Sequence, residues 1–307
     1  SQAFWHEEKA GRTVATPRGQ AVHLELMHLG EKKLMERLPF ISEIARTFLG
    51  VDVVNEPIPV RPAVHYTMGG IQCDGATATP LAGLYACGEC SSVGIHGANR
   101  LGSNSLAELS VFGKLAGENA ARFARSQDDG TPEQLGLQAQ EAMASALALL
   151  ERGDGTESVA TLRDEMATAM EQGTGIYRTA EGMQETCDKL AALRDRYGSL
   201  QLQDRSRAFN TEWLSAIELG YMLDVAQAMA CSAVNRRESR GAHQRLDEFG
   251  ERDDDQFLKH SRAHYSDDGP PRITYEAVTI TKLPPAERVY GAAAKTAAGK
   301  TTGGSDG

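Results

Sequence analysis

Gly94-Ile-His-Gly97-Ala-Asn-Arg100-Leu-Gly102-Ser-Asn-Ser105-Leu-Ala-Glu108 is the stretch around which the rest of the sequence organises itself. Three glycines fall within nine residues, and an arginine stands among them. Beyond the loop, Leu106, Leu109, Phe112, Leu115 and Ala116 recur at helical spacing and predict a helix to about Arg125. Ser105-Leu-Ala-Glu108 has the form of a capping box at its start. A glycine-rich loop feeding a helix N-terminus offers free backbone N–H groups at the positive end of the helix dipole, which suits an anion. Arg100 adds a planar fork of donors that matches a carboxylate through two hydrogen bonds. The plainer alternatives are a flexible loop before a capped helix and a structural ion pair at Arg100.

Two segments upstream bear on the same chemistry. In Thr79-Pro-Leu-Ala-Gly-Leu-Tyr-Ala-Cys-Gly88-Glu89, the apolar run Leu84–Cys87 reads as a strand ending in a glycine and an acid. Ligands of doubly wound sheets lie beyond such strand ends. Glycine there lets the backbone approach a ligand, and the carboxylate accepts hydrogen bonds from sugar or polyol hydroxyls. An ordinary strand and turn is the alternative. His65 lies in Val64-His-Tyr-Thr-Met-Gly-Gly70, either as a core residue or as a donor to an anion that changes protonation near neutral pH. Cys87-Gly-Glu-Cys90 has redox-pair spacing, but the sequence has no second such pair. We read it as small apolar residues, with no metal site.

Outward from this centre the chain divides by pattern. Residues 1–62 mix short elements: Val22–Met27 alternates like a strand, and Glu31–Leu49 carries Leu34, Leu38, Ile41, Ile44 and Phe48 at helical spacing, with a kink expected at Pro39. Pro57, Pro59 and Pro62 then mark an extended linker. Residues 63–125 hold the glycines and motifs. Residues 126–237 read as helical, over Pro132–Arg152, Glu157–Gln172, Thr179–Tyr197 and Thr211–Arg237, the last with Leu214, Ile217, Tyr221, Val225 and Met229 near helical spacing. In Glu238-Ser-Arg-Gly-Ala-His243, Gly241 fits a C-cap for that helix. Residues 238–290 form a polar C-terminal segment with a strand over Ile273–Leu283, and the Gly/Ala/Thr/Lys-rich 291–307 are expected to be disordered. The fold class is α/β plus α.

Composition narrows the function. A net charge of −10 disfavours nucleic-acid and anionic-membrane surfaces, while leaving room for a basic pocket that takes a small acid. No apolar stretch is long enough to span a membrane, and the N-terminus has no signal-peptide pattern. Five cysteines, an odd and sparse set, point to a reducing compartment. The sequence starts at Ser1 without an initiator Met, so a longer protein is expected.

Together Pro57–Gly70, Gly88–Leu106 and Glu238–His243 resemble the succinate dehydrogenase/fumarate reductase flavoproteins, over nearly the whole chain to about Gly291. The short connection between Met68-Gly-Gly-Ile71 and Glu89, and the ending Leu283–Gly291, look most like the fumarate reductase branch; succinate dehydrogenase and L-aspartate oxidase are the nearest alternatives. The resemblance implies the end of a capping domain at 1–62, the C-terminal part of a doubly wound FAD-binding domain at 63–125, a helical domain at 126–237 and a C-terminal segment at 238–290. It implies FAD as cofactor, with Tyr66, Glu89, Arg100, Ser105 and Leu106 contacting it. It also implies fumarate or succinate as ligand, held by the catalytic pair His65 and Arg100. An iron–sulfur subunit would deliver electrons, membrane anchor subunits would attach indirectly, and the complex would sit on the cytoplasmic face of the bacterial inner membrane. The family's dinucleotide motif, its flavin-bonding histidine and its proton-donating arginine are expected outside this chain. The reading from another class is a non-catalytic anion- and partner-binding fragment.

Overall fold

The computed structural model describes residues 1–17, 19–127, 133–267, 269–282 and 285. At the N-terminus, α1 (Gln2–Lys9) precedes an antiparallel sheet of β1 (Val14–Thr16), β2 (Gly19–Leu24) and β3 (Ile58–Val60), in that order. Val22 of β2 pairs with Val60 of β3. The strand expected over Val22–Met27 is therefore displaced towards the N-terminus, because a 3-10 turn takes over at Met27–Leu29. The expected linker contains β3, where Pro59 is tolerated because the strand is an edge.

The periodic span Glu31–Leu49 breaks where Pro39 requires it, into α2 (Glu31–Arg37) and α3 (Pro39–Ile44), followed by a π turn over Ala45–Leu49. The break at Leu38 rotates the second piece. Leu34 is buried with Ala45, Val53 and Ile58, whereas Ile41, Ile44 and Phe48 face outward.

In the motif-rich segment, β4 (Ile71–Gln72) pairs in parallel with β5 (Ser91–Ser92). Leu84–Cys87 is not a strand. It folds back on Thr77–Thr79 through Ala86 N–H to Thr77 O at 3.0 Å and Thr79 N–H to Leu84 O at 3.0 Å, a tight reversal made by Pro80 and Gly83. The long helix α4 (Asn104–Arg125) follows, with only Glu108 and Ala116 fully buried.

The next four helices are α5 (Glu133–Glu151), α6 (Val159–Thr174), α7 (Ala180–Tyr197) and α8 (Thr211–Asn235). The expected start at Pro132 lies outside the described residues. Side chains cap three of the helix starts: Ser158 Oγ accepts from Thr161 N–H, Thr179 Oγ1 from Gly182 N–H, and Asn210 Oδ1 from Trp213 N–H. On α8 the buried face is Ala216, Leu219, Leu223, Ala226, Ala230 and Ala233. It packs with Leu162, Met166, Leu190, Leu193 and Leu200 into the main core. Of the stripe singled out in the sequence, Leu214, Tyr221, Val225 and Met229 are exposed and Ile217 packs against the core; Leu219 and Leu223, flanked by small alanines, form the closely packed face instead.

The C-terminal segment adds α9 (Asp254–Phe257) and a hairpin of β6 (Lys259–His264) with β7 (Arg272–Ala277). The strand expected to Leu283 stops at Ala277, where Lys259 ends its partner. Leu283 and the tail 291–307 lie outside the described residues.

Gly241 is not a C-cap. α8 ends at Asn235, and Gly241 sits six residues later at φ +59°. A Cβ there would lie 2.3 Å from the carbonyl oxygen of Ala98, so glycine permits a close approach between the 238–243 turn and the glycine-rich loop.

Candidate active site

The loop before α4 turns through left-handed backbone at Gly94, Gly97 and Ser103, with φ of 86°, 55° and 66°. Ser103 is the N-cap residue of α4, but its side chain makes no capping bond. A serine held in this region is a local strain that marks functional loops. The expected capping box is not formed. Ser105 lies inside the first turn, and Glu108 turns away from the helix start to other partners.

Those partners define the site. Glu108 is 3% exposed; its Oε2 accepts from Tyr66 Oη at 3.0 Å and lies 2.6 Å from His96 Nε2. Burial, then the bond to Glu108, pushes the Tyr66 phenol up to about 12, so it stays a donor. The Tyr66 and His96 rings meet edge to face at 5.6 Å. The Arg100 guanidinium lies 4.3 Å from the Tyr66 ring centroid, a cation–π contact. Its Nη1 donates to Leu101 O at 3.2 Å, and its Nε is buried without a hydrogen-bond partner among the described residues. Arg100 is thus fixed by stacking, while part of its donor set stays unused.

A second tie comes from Glu89, whose Oε1 accepts from Thr67 N–H at 2.9 Å. This holds the Val64–Gly70 strand of chain against the 3-10 turn Gly88–Cys90. Gly70 seals the contact, since a Cβ there would lie 2.4 Å from Cys90 O. Glu89 and His65 are exposed, and among the described residues no side chain hydrogen-bonds His65. The structure therefore joins Tyr66 and Arg100 directly, sets Glu89 beside them through Thr67, and leaves His65 on the open face. Ser105 and Leu106 stand at the start of α4, with Leu106 67% exposed.

The third tie is remote. Ala242 N–H donates to Ala98 O at 3.0 Å, in the middle of the loop. The turn that supplies it is built on Glu238, fully buried and bonded by Arg236 Nε at 3.0 Å and Arg240 Nε at 2.8 Å. His243 closes the knot: its Nε2–H donates to Arg236 O at 3.0 Å, and its Nδ1 accepts from Arg178 at 2.9 Å. Desolvation, then the Arg178 charge, pulls His243 down to about 4, keeping it neutral.

His96 and Glu108 were not identified as site residues from sequence. Glu108 was assigned to a local cap, and no spacing rule links positions 66, 96 and 108. Cys90 donates its S–H to Cys87 O at 3.3 Å. Among the described residues no cluster of three or more His, Cys, Asp or Glu could hold a metal, and no helix is long and apolar enough to cross a membrane.

Two family models match the chain, in separate spans. Residues 1–106 match the FAD binding domain family, a span that includes the glycine-rich loop and Arg100. Residues 163–290 match the family described as fumarate reductase flavoprotein C-term. A fumarate reductase flavoprotein subunit of Serratia sp. is 59% identical over 292 residues, covering 95% of this chain and 49% of that protein. A succinate dehydrogenase flavoprotein subunit of Rickettsia bellii is 37% identical over 307 residues, covering 94% and 51%. A solved quinol fumarate reductase of E. coli superposes with a TM-score of 0.87 at 58% identity, over 94% of this chain and 50% of that one. The chain spans about half the length of the curated relatives it matches.

Proposed function

The chain belongs to the succinate dehydrogenase/fumarate reductase flavoprotein family, and on that premise we propose that it forms part of the catalytic flavoprotein of a quinol:fumarate reductase. The observation that carries the reading is Arg100: a guanidinium stacked on Tyr66, backed by buried Glu108, with donors to spare for a carboxylate. The higher identity to fumarate reductases than to succinate dehydrogenases supports the direction named.

The residues present fit FAD. The α4 start carries no side-chain cap, Leu106 offers an exposed apolar contact beside it, and Glu89 keeps one carboxylate oxygen for the hydroxyls of a sugar or ribityl chain. Glu89, Ser105, Leu106, Tyr66 and Arg100 would hold the flavin. When bound, FAD supplies two-electron hydride transfer. The chain's own part is positioning. Arg100 binds one carboxylate of fumarate through its fork, and the Tyr66 ring and the Ala98–Ala242 tie keep that fork in place. His65 donates to the second carboxylate from the open face. Fixed cationic and N–H donors stabilise the charge that develops on the carboxylate in the transition state. We place the doubly wound arrangement around β4 and β5, an iron–sulfur subunit as electron donor, membrane anchors beyond it, and a peripheral position on the cytoplasmic face of the inner membrane.

The test uses the full-length protein from its source, assayed for bound flavin and for fumarate reduction with a reduced viologen dye. Bound flavin with fumarate turnover exceeding succinate oxidation is expected. Absence of flavin and of turnover, with retained partner binding, would replace the catalytic reading with a binding role.

A further inference from the structure

Among the five free cysteines, two face each other outside the site. Cys187 is on α7 and Cys231 on α8, and their sulfurs are 3.7 Å apart. Both are half-buried. A disulfide needs a sulfur separation of about 2.05 Å, so a rotation of one or both side chains within the α7–α8 contact would bring them together. The pair also has the polarity of a redox couple. The hydrogen bond between the two sulfurs lowers the Cys231 thiol, to about 7, and, ahead of burial, raises Cys187. Two thiols at this separation can serve as attacking and resolving sulfur, with Cys231 the more acidic of the pair.

We propose that Cys187 and Cys231 are an oxidative modification site that forms a reversible disulfide between α7 and α8 when the protein meets a peroxide. A small peroxide suits half-buried sulfurs better than a bulky disulfide. The Cys231 thiolate attacks one peroxide oxygen, breaking the O–O bond, to give Cys231 sulfenic acid and hydroxide. The Cys187 sulfur then attacks the Cys231 sulfur, forming the S–S bond. The sulfenic oxygen leaves as water with the Cys187 proton, and the hydroxide takes up the proton first lost by Cys231. Two thiols are oxidised and one peroxide is reduced to two waters. A low-molecular-weight dithiol reverses the bond by exchange.

The position gives the bond a structural consequence. α7 starts just after Arg178, which bonds His243, and α8 runs into Arg236 and Glu238. A cross-link here fastens α8, which leads into the turn gripping Ala98, to α7, which follows the Arg178 that bonds that turn at His243.

The experiment treats the full-length flavoprotein with a few equivalents of hydrogen peroxide, then alkylates free thiols and maps peptides by mass spectrometry. The expected product links the peptides carrying Cys187 and Cys231, with two hydrogens lost and neither sulfur alkylated. Its Tm should rise by about 5 °C and fall back with dithiothreitol. Cys187→Ser and Cys231→Ser should each abolish the cross-link, and Cys187→Ser should leave Cys231 trappable as a sulfenic acid. Oxidation first at Cys90 with Cys187 and Cys231 still alkylated, or stable sulfinic acid at Cys231 without a cross-link, would overturn the proposal.

Discussion

The helical unit of α5–α8 and the arginine loop before α4 are built on opposite principles. The helical unit closes on itself: Leu162, Leu190, Leu193, Leu219 and Leu223 are fully buried in a continuous apolar core, and side-chain caps start three of its helices. The loop region has little apolar core. α4 leaves Leu106, Leu109 and Val111 exposed, and the loop is held by Glu108, by the Arg100–Tyr66 stack and by one backbone bond to Ala242. Stability is concentrated where the chain packs, and function is presented where it does not. The price is a loop that depends on residues more than a hundred positions away.

This contrast predicts different consequences for similar substitutions. Leu219→Ala in the helical core should lower unfolding stability by about 3–4 kcal/mol, because a fully buried leucine leaves a cavity that neighbours fill incompletely. Leu106→Ala should change it by less than about 0.5 kcal/mol, since that side chain is exposed, yet should alter the flavin's absorbance. Denaturant melts of both variants decide it. Equal losses would erase the distinction between the regions.

Gly241→Ala probes the remote tie. The added Cβ would meet Ala98 O and Ala98 Cβ in a left-handed position, which should cost about 2–3 kcal/mol and weaken fumarate binding. Gly97→Ala is the comparison, with a similar φ but open space around the new carbon, and should cost about 1 kcal/mol. If the two variants bind fumarate alike, the tie from Ala242 does not position the loop.

The smallest effect is expected with pH. His243 titrates near 4 when folded against an ordinary 6.5, so the unfolded chain binds the extra proton first on acidification. Stability should therefore be level above about pH 7 and fall by about 2 kcal/mol as pH drops from 6.5 to 4. His243→Gln should make that fall shallower without removing it, because burial also lowers His260, and urea melts at stepped pH would show the difference.

The two regions were also unequally legible in the sequence. α6, α7 and α8 fall within about two residues of their expected bounds, because helical periodicity and the capping residues Ser158, Thr179 and Asn210 are local signals. The glycine-rich loop and the long helix behind it were legible too, as was the break at Pro39. The apparent capping box at Ser105–Glu108 misled because Glu108 is claimed by Tyr66, 42 residues upstream. Gly241 imitated a C-cap because the carbonyl that needs its missing side chain belongs to Ala98, far away in sequence. Leu84–Cys87 had the composition of a strand but, among the described residues, no neighbour to pair with beyond one bridge at Tyr85. Local rules found what local energies decide, and the site is decided by contacts at long range.

The central claim is that Arg100 takes a substrate carboxylate with its guanidinium fork. The direct measurement is the equilibrium affinity of the oxidised full-length protein for fumarate, wild type against Arg100→Lys, with thermal melts confirming equal folding. Lysine keeps the charge but loses the two-point geometry, so binding should weaken by about 50-fold. Affinity within about threefold of wild type would mean that Arg100 is a structural cation and that the carboxylate is bound elsewhere.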